Sequence, residues 1–297
     1  MKLNRKEDTF TLYNGVNIPC IGYGTYLTPS DNEGLEAIKN AIEAGFYHID
    51  CAAAYKNEHI VAQAIKDSGV SRDKIFITSK LWNENQGYES ALEAFEESCK
   101  KLSTNYIDLY LIHWPIAVGH ENDWQQRVKE SWRAFEKLYK EGRVKAIGVS
   151  NFLIHHLEVL LESAEIIPMV NQLELHPKYQ QKEIVEYCKE KNILLESWGP
   201  LMRGKAFDNP LLKEVADKYE KNVAQLLTRW CLQKEFLPLP KSMKKDRIIS
   251  NSDVFDFEIN DKDMDYIDSL NTNDSYVFHP DRNEEWQKKR EEIYNEK

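Results

Sequence analysis

The sequence lacks the short signatures of several common chemistries. No G-x-S-x-G marks a nucleophile elbow. No H-E-x-x-H sets two histidines on one helix face for a metal, and no C-x-x-C pairs thiols. The five cysteines, Cys20, Cys51, Cys99, Cys188 and Cys231, are odd in number and far apart. That pattern excludes a disulfide framework and fits a reduced, cytoplasmic setting, with Cys51 as a small buried thiol. No run of 18 apolar residues occurs, and none follows the N-terminal MKLNRKEDTF, so neither a membrane span nor a secretory signal is expected. Positive charge is also in deficit. With 39 Lys and Arg against 49 Asp and Glu, the formal net charge is -10. Such a chain is not expected to bind nucleic acid or an anionic membrane, which reward clustered cations. His155 and His156 are adjacent on a predicted helix and are expected to point apart, so no metal site is expected. No Pro/Gly/Ser-rich linker divides the sequence, which predicts one domain over 1–297.

What is present is a hydrophobic fraction of 42%, enough for a sizeable core, and a repeating pattern. Apolar runs of strand length fall at 19–26, 46–52, 75–82, 107–114, 144–151, 168–175, 193–200 and 237–242. Between them lie stretches such as LEAIKNAIEAG, ESALEAFEESCKKLS and QKEIVEYCKEKN, with apolar residues at helical spacing. Gly45, Gly69 and Gly142 stand near predicted helix ends, where a left-handed cap favours glycine. Eight strand–helix units predict an α/β fold, a (β/α)8 TIM barrel rather than an open sheet. The strands are almost continuously apolar, as in a parallel sheet covered by helices. Asn14-Gly15 is a hairpin turn signal, so 9–19 is read as a β-hairpin capping the barrel bottom. The tail, 271–297, is polar and aperiodic, apart from a final EEWQKKREEIYNEK that suits a short helix or a frayed end.

Polar residues collect at the C-terminal ends of the predicted strands, where such a barrel places its chemistry. Asp50 follows HI, Lys80 follows ITS, His113 follows LYLI, and Ser150-Asn151 follow AIGV. Asn171-Gln172 interrupt an apolar run, and Lys241-Ser242 end the eighth strand. An Asp, a Lys, a Tyr and a His could therefore converge. Free tyrosine has a pKa of ~10, too high for easy proton donation. A nearby ammonium stabilises the phenolate. With Asp50 orienting Lys80, Tyr55 becomes a general acid able to protonate a carbonyl oxygen, and His113 can donate a second hydrogen bond to it. For a hydride source, GYGTYL is a near miss to the dinucleotide fingerprint, with Leu27 at the third glycine position, and is discounted. PKSMKKDRIISN is better: it sets Lys241, Ser242 and Arg247 at the start of a helix, a phosphate-binding arrangement. Trp198 could stack on a flat ring.

Across 9–280 the chain resembles the aldo-keto reductases, through HIDCAAAYKNE, ITSKLW, YLIHWP, GVSNF, VNQLELHP, ESWGPL and LPLPKSMKKDRIISN in that order. The resemblance implies NADPH-dependent reduction of aldehydes and ketones by a monomer acting on a small-molecule carbonyl. It implies the tetrad Asp50, Tyr55, Lys80 and His113. Ser150, Asn151 and Gln172 match residues holding the nicotinamide carboxamide, and Trp198 matches the aromatic that stacks on its ring. Gly24, Thr25 and Asp50 on one side, and Gly199, Pro200 and Leu201 on the other, are further cofactor contacts. Lys241, Ser242 and Arg247 match the surroundings of the 2′-phosphate, which implies NADP over NAD, and Asn251 matches an adenine contact. Tyr26, Trp82, His113 and Trp114 match the substrate pocket. Ser250 departs from the Glu of many members. The stretch MRGKAFDN is shorter than the loop that larger members close over the diphosphate. The ESWGPL motif and the short tail are similar to bacterial 2,5-diketogluconate and glyoxal reductases. Two other readings remain open: the same enzyme running chiefly as an alcohol dehydrogenase, or a cofactor-sensing binding subunit.

Overall fold

The computed structural model describes residues 3–277 and 279–281. Eight parallel strands line up in chain order: β3 (Tyr23–Gly24), β4 (His48–Asp50), β5 (Phe76–Leu81), β6 (Ile107–Ile112), β7 (Val144–Ser150), β8 (Val170–Glu174), β9 (Leu194–Trp198) and β10 (Phe236–Leu239). Seven of the eight predicted runs contain one of them, and the eighth, 237–242, overlaps β10, which starts one residue earlier. The seam between first and last is closed by Gly22 N–H donating to Pro238 O at 3.0 Å and Gly24 N–H to Pro240 O at 3.3 Å. Glycine is required there, because a Cβ on Gly22 would stand 2.6 Å from both His48 and Leu239 side chains. The result is a nearly closed (β/α)8 barrel, as the alternating pattern predicts.

The helices α1 (Asn32–Glu43), α2 (Glu58–Ser68), α3 (Tyr88–Lys101), α4 (Trp124–Lys140), α5 (Ile154–Leu161) and α6 (Lys182–Glu190) cover the outside. They are followed by α7 (Pro210–Lys218), α8 (Val223–Gln233), α9 (Lys245–Ser252) and α10 (Asp261–Asp268). Buried faces such as Ala37, Ile38, Ala41 and Ile42 of α1 join the strands in one apolar core. Gly69 caps α2 with φ 70°, and Gly45 and Gly142 also have positive φ just beyond α1 and α4.

The hairpin pairs β1 (Thr9–Thr11) with β2 (Asn17–Pro19) around Gly15 at φ 88°. Asn14 Nδ2 donates to Lys145 O at 3.0 Å and the Tyr13 hydroxyl donates to Ile167 O. Both acceptors precede or open strands, so the hairpin sits at the barrel's N-terminal end. By residue type, Asn57 and Glu58 are expected to serve as cap and first-turn acid of the helix that follows, and the cap expectation fails. Asn57 precedes α2, yet its side chain does not cap the helix. It donates instead to Thr25 O at 2.8 Å and Thr28 O at 3.4 Å, tying the β3 loop to the β4 loop. Glu58 does stand in the first turn of α2, but buried: it accepts from Ser79 Oγ at 2.6 Å, and burial pushes its carboxyl upward. Residues 271–277 run irregularly across the barrel mouth, with Ser275 Oγ and Tyr276 N–H donating to Glu174. The EEWQKKREEIYNEK stretch lies outside the described residues.

Within β7, a Cβ on Gly148 would lie 2.6 Å from Val170 O and 2.8 Å from Leu111 Cδ2. Gly148→Ala is therefore expected to cost about 1–3 kcal/mol through overpacking. The shift of the denaturant midpoint at constant slope measures it.

Candidate active site

The site begins with strand register. Asp50 pairs with Thr78, and side chains two residues apart share a face. His48 and Asp50 on β4 therefore point into the barrel together with Thr78 and Lys80 on β5. Likewise Gln172 pairs with Glu196, and Ser150 with Gln172. Asn171, one residue out of phase, faces outward and donates to Phe152 O at 2.9 Å. The polar pair Asn171-Gln172 thus splits into a structural half and an interior half.

Lys80 is wholly buried, with 0% exposure. A buried ammonium needs its protons satisfied. Lys80 Nζ donates to Asp50 Oδ1 at 2.8 Å and Oδ2 at 2.6 Å, to Cys51 O at 3.0 Å and to the Tyr55 hydroxyl at 3.4 Å. Tyr55 is delivered by a single 3-10 turn, Ala53–Tyr55, closed by Lys56 in the left-handed region at φ 57°. The Tyr55 ring stands 5.6 Å from that of His113 and 5.2 Å from that of Tyr26; Trp82 lies 5.2 Å from His113. His113 follows β6 immediately, its N–H bonded to Leu81 O. Trp114 is buried next to it and its carbonyl accepts from Gln86 Nε2 at 2.7 Å. The four predicted reactive groups are therefore together at one strand-end cluster, with the aromatic residues Tyr26, Trp82 and Trp114 around them.

A second group lies across the mouth. Asn151 takes φ 64° at the end of β7. Its Nδ2 donates to His113 O at 2.9 Å and Ser150 Oγ at 3.1 Å, and its Oδ1 accepts from Trp198 Nε1 at 2.9 Å. Ser150 Oγ donates to Gln172 O at 2.9 Å. Thr25 bonds Asp50 O through both N–H and Oγ1, each at 2.9 Å, and Gly24 sits where a Cβ would approach Leu239 O to 3.2 Å. Gly199 has φ 67° and leads through Pro200 and Leu201 into Met202 and Arg203, both also at positive φ. At the eighth strand, Lys241 Nζ donates to Leu27 O at 3.5 Å and the Ser242 carbonyl accepts from the Tyr23 hydroxyl at 2.6 Å. Arg247 is exposed on α9, whose N-terminus has no side-chain cap, so its first backbone N–H groups are free of a side-chain acceptor and suited to an anion. Asn251 is buried on the same helix. Ser250 is engaged elsewhere, its Oγ accepting from Asn222 Nδ2 at 2.7 Å. The donors and the uncapped helix suit a phosphate-bearing cofactor.

Three features escape a reading by sequence. Glu196, inside the quoted ESWGPL, is buried below Trp198, and burial raises its carboxyl to about 8. A charge in an apolar strand was its only signal. Arg203 lies with its guanidinium 5.9 Å over the Tyr26 ring, joining the loop after β9 to the loop after β3; nothing in its local sequence marks it. The expectation that His155 and His156 point apart is corrected. Their rings lie 3.9 Å apart and both Nε2 atoms approach Asp281 Oδ1, at 3.0 and 2.9 Å. The cause is the end of α5, where Leu153 N–H donates to His156 Nδ1 at 3.1 Å and turns the ring back. That bond leaves the His156 proton on Nε2, facing Asp281. His155 Nε2 bonds Asp281 Oδ1, and with His156 the three side chains cluster where residue 281 meets α5.

The Lys80–Asp50 pair gives a test that separates stability from chemistry. Replacing Asp50 alone by Leu strands a buried ammonium and is expected to cost about 3–5 kcal/mol. Replacing both, Asp50→Leu with Lys80→Met, is expected to restore most of that stability and none of the activity. Denaturant titration read beside turnover checks both halves.

Comparison with known proteins matches this geometry to one group. The model of the Aldo/keto reductase family matches residues 20–272. The chain is 51% identical over 275 residues to the glyoxal reductase of Bacillus subtilis (strain 168), covering 93% of this chain and 97% of that one. Among solved structures it is similar to MGS-M4, an aldo-keto reductase from a Medee basin deep-sea metagenome library, with TM-score 0.87, 44% identity and coverage of 92% and 99%. It is also similar to a variant of Gox0644 in complex with NADPH, with TM-score 0.86, 37% identity and coverage of 92% and 97%. With a matching family model over most of its length and a barrel that carries the family's motifs at its strand ends, the chain belongs to the aldo/keto reductase family.

Proposed function

We propose that this protein reduces small aldehydes and ketones to alcohols with NADPH, and that Tyr55 donates the proton. The observation that carries this reading is the chain Asp50–Lys80–Tyr55: a buried ammonium held by a carboxylate at 2.6 Å, with its remaining reach, 3.4 Å, directed to the phenol oxygen. NADPH, when bound, supplies the hydride that reaches the carbonyl carbon. Everything else is work for this chain. Negative charge gathers on the carbonyl oxygen, and groups placed in advance for it lower the barrel mouth's barrier. Tyr55 gives its proton to that oxygen while Lys80 stabilises the phenolate left behind. His113, 5.6 Å from Tyr55 by ring centroids, orients the carbonyl toward the phenol. Tyr26, Trp82 and Trp114 exclude water and favour small or apolar carbonyls.

The cofactor site follows the same logic. Ser150, Asn151 and Gln172 hold the carboxamide, and Trp198 forms the platform for the ring, its indole fixed by Asn151. Gly24, Thr25, Gly199, Pro200 and Leu201 flank the diphosphate. Lys241, Ser242 and Arg247, with the uncapped start of α9, take the 2′-phosphate, and Asn251 takes the adenine. The similarity to a glyoxal reductase makes dicarbonyls such as methylglyoxal the first substrates to try.

The test is NADPH oxidation with a panel of small aldehydes. Tyr55→Phe is expected to lower kcat by about 10²–10⁴, the range of general acid catalysis, while NADPH binding measured by fluorescence is retained. Wild-type turnover in that variant would overturn the mechanism. In the same assay Lys241→Ala is expected to raise KM for NADPH by roughly tenfold, since a charge-assisted bond contributes ~1.5–3 kcal/mol, and to leave KM for NADH nearly unchanged. Equal effects on both cofactors would place the 2′-phosphate elsewhere.

A further inference from the structure

Beneath the reactive cluster lies a polar layer that the proposed chemistry does not use. Gln172 Nε2 donates to Asp50 Oδ2 at 2.8 Å and to Glu196 Oε2 at 2.7 Å. Both amide protons are therefore spent on carboxyl groups, and Gln172 is left with its carbonyl oxygen as the group to offer. The opposite amide orientation would set that oxygen 2.8 Å from the Asp50 carboxylate, a repulsive arrangement. Asp50 thus decides which end of the amide the barrel mouth receives, and Glu196 accepts the second amide proton. It also lies two residues before Trp198 on β9, on the same face and one pleat deeper.

The surroundings of Glu196 make its charge conditional. It has no exposed surface, and Oε1 has no hydrogen-bond partner. The groups facing it are Asp50 and His48 from β4, Lys80 and Thr78 from β5, and Gln172 from β8; β10 contributes only Phe236–Leu239. His48 Nε2 is 3.9 Å from Oε1 and is occupied with Thr78 Oγ1 at 2.9 Å. Burial holds His48 neutral, down at about 3, so it offers no counter-charge. Burial first, and then the Asp50 carboxylate, push Glu196 up to about 8, against smaller opposing effects of the Gln172 bond and Lys80. Lys80 already has Asp50. Glu196 therefore carries a proton at neutral pH, and any new positive charge above it favours loss of that proton.

We propose that Glu196 is a positioning residue that, together with Asp50, fixes the Gln172 amide for the nicotinamide carboxamide and, by giving up its proton, favours the oxidised over the reduced cofactor. This inference rests on the NADP(H) reading of the site. The oxidised ring bears a positive charge and the reduced ring does not, so only NADP+ is expected to draw the proton off. The sign follows from linkage: if NADP+ binding releases a proton, NADP+ affinity rises with pH up to the carboxyl's own titration, by at most about tenfold per pH unit. The 2′-phosphate is common to both forms and cancels in their ratio.

The experiment is calorimetric titration of the whole protein with NADP+ and with NADPH just below pH 8, where this carboxyl titrates, in two buffers of different ionisation heat. NADP+ is expected to release a fraction of a proton that NADPH does not, and the NADP+/NADPH affinity ratio is expected to rise with pH. In Glu196→Gln, which keeps an accepting oxygen for Gln172, both differences are expected to vanish. Equal proton release for the two forms in the wild type would overturn the role of Glu196, even if the variant did not fold. So would a difference that persists in Glu196→Gln. Failure of either form to bind would overturn the cofactor reading as well, and so is distinguishable from tight binding without linkage.

Discussion

The site depends on a charge buried where a charge is costly. Lys80 lies on a strand whose every residue is buried, inside a parallel barrel covered by helices. Only the Asp50 carboxylate, two residues out of phase on the neighbouring strand, makes that ammonium tolerable. Once the pair exists, much else is fixed. β4 must end at once, so that Cys51 O can take the third Lys80 contact and a short turn can present Tyr55. Thr25 must hold Asp50 O from the other side. Such a pair is weak evidence for stability, because apolar residues of the same volume commonly do as well. The proposed role at a phenol 3.4 Å away accounts for its presence in a largely apolar core.

The same constraint explains the layer below. A carboxylate committed to Lys80 through both oxygens can still accept further bonds, and Gln172 gives one to Oδ2. Gln172 then needs an acceptor for its second proton, and Glu196 supplies one. Each polar residue in the barrel is there partly because its neighbour is, and the chain of bonds runs from Tyr55 to Glu196 without a gap. His48, held neutral by burial, stands beyond it, bonded to Thr78 rather than to Glu196. A network of this kind fixes amide orientations that an apolar core could not.

Much of this was legible in the sequence, for reasons that can be stated. The eight strands show because parallel strands covered by helices are continuously apolar, and the odd polar residue at each C-terminal end stands out against them. Asp50, Lys80 and His113 show in this way, and the hairpin shows through Asn14-Gly15. Asn57 misled because a capping residue type says nothing about whether its side chain has a better partner, here Thr25 O. His155 and His156 misled because helical spacing sets the Cβ directions, whereas a hydrogen bond from Leu153 N–H turned the ring. Glu196 was visible as a letter inside ESWGPL but not as a buried acid, since its partners come from strands 24 and 146 residues away in the chain: Gln172 and Asp50. Arg203 depends on a backbone with three successive positive φ values, at Met202, Arg203 and Gly204, which no pattern of residue types specifies.

The central claim is that Lys80 exists to make Tyr55 an acid, and it can be measured without turnover. With tyrosines carrying a carbon label at Cζ, the Tyr55 resonance can be assigned by its loss in Tyr55→Phe and followed against pH by NMR in the wild type and in the double variant Asp50→Leu/Lys80→Met. The account predicts that the Tyr55 phenol ionises at distinctly lower pH in the wild type, because the ammonium stabilises the phenolate. Coincident titration curves in the two folded proteins would contradict it.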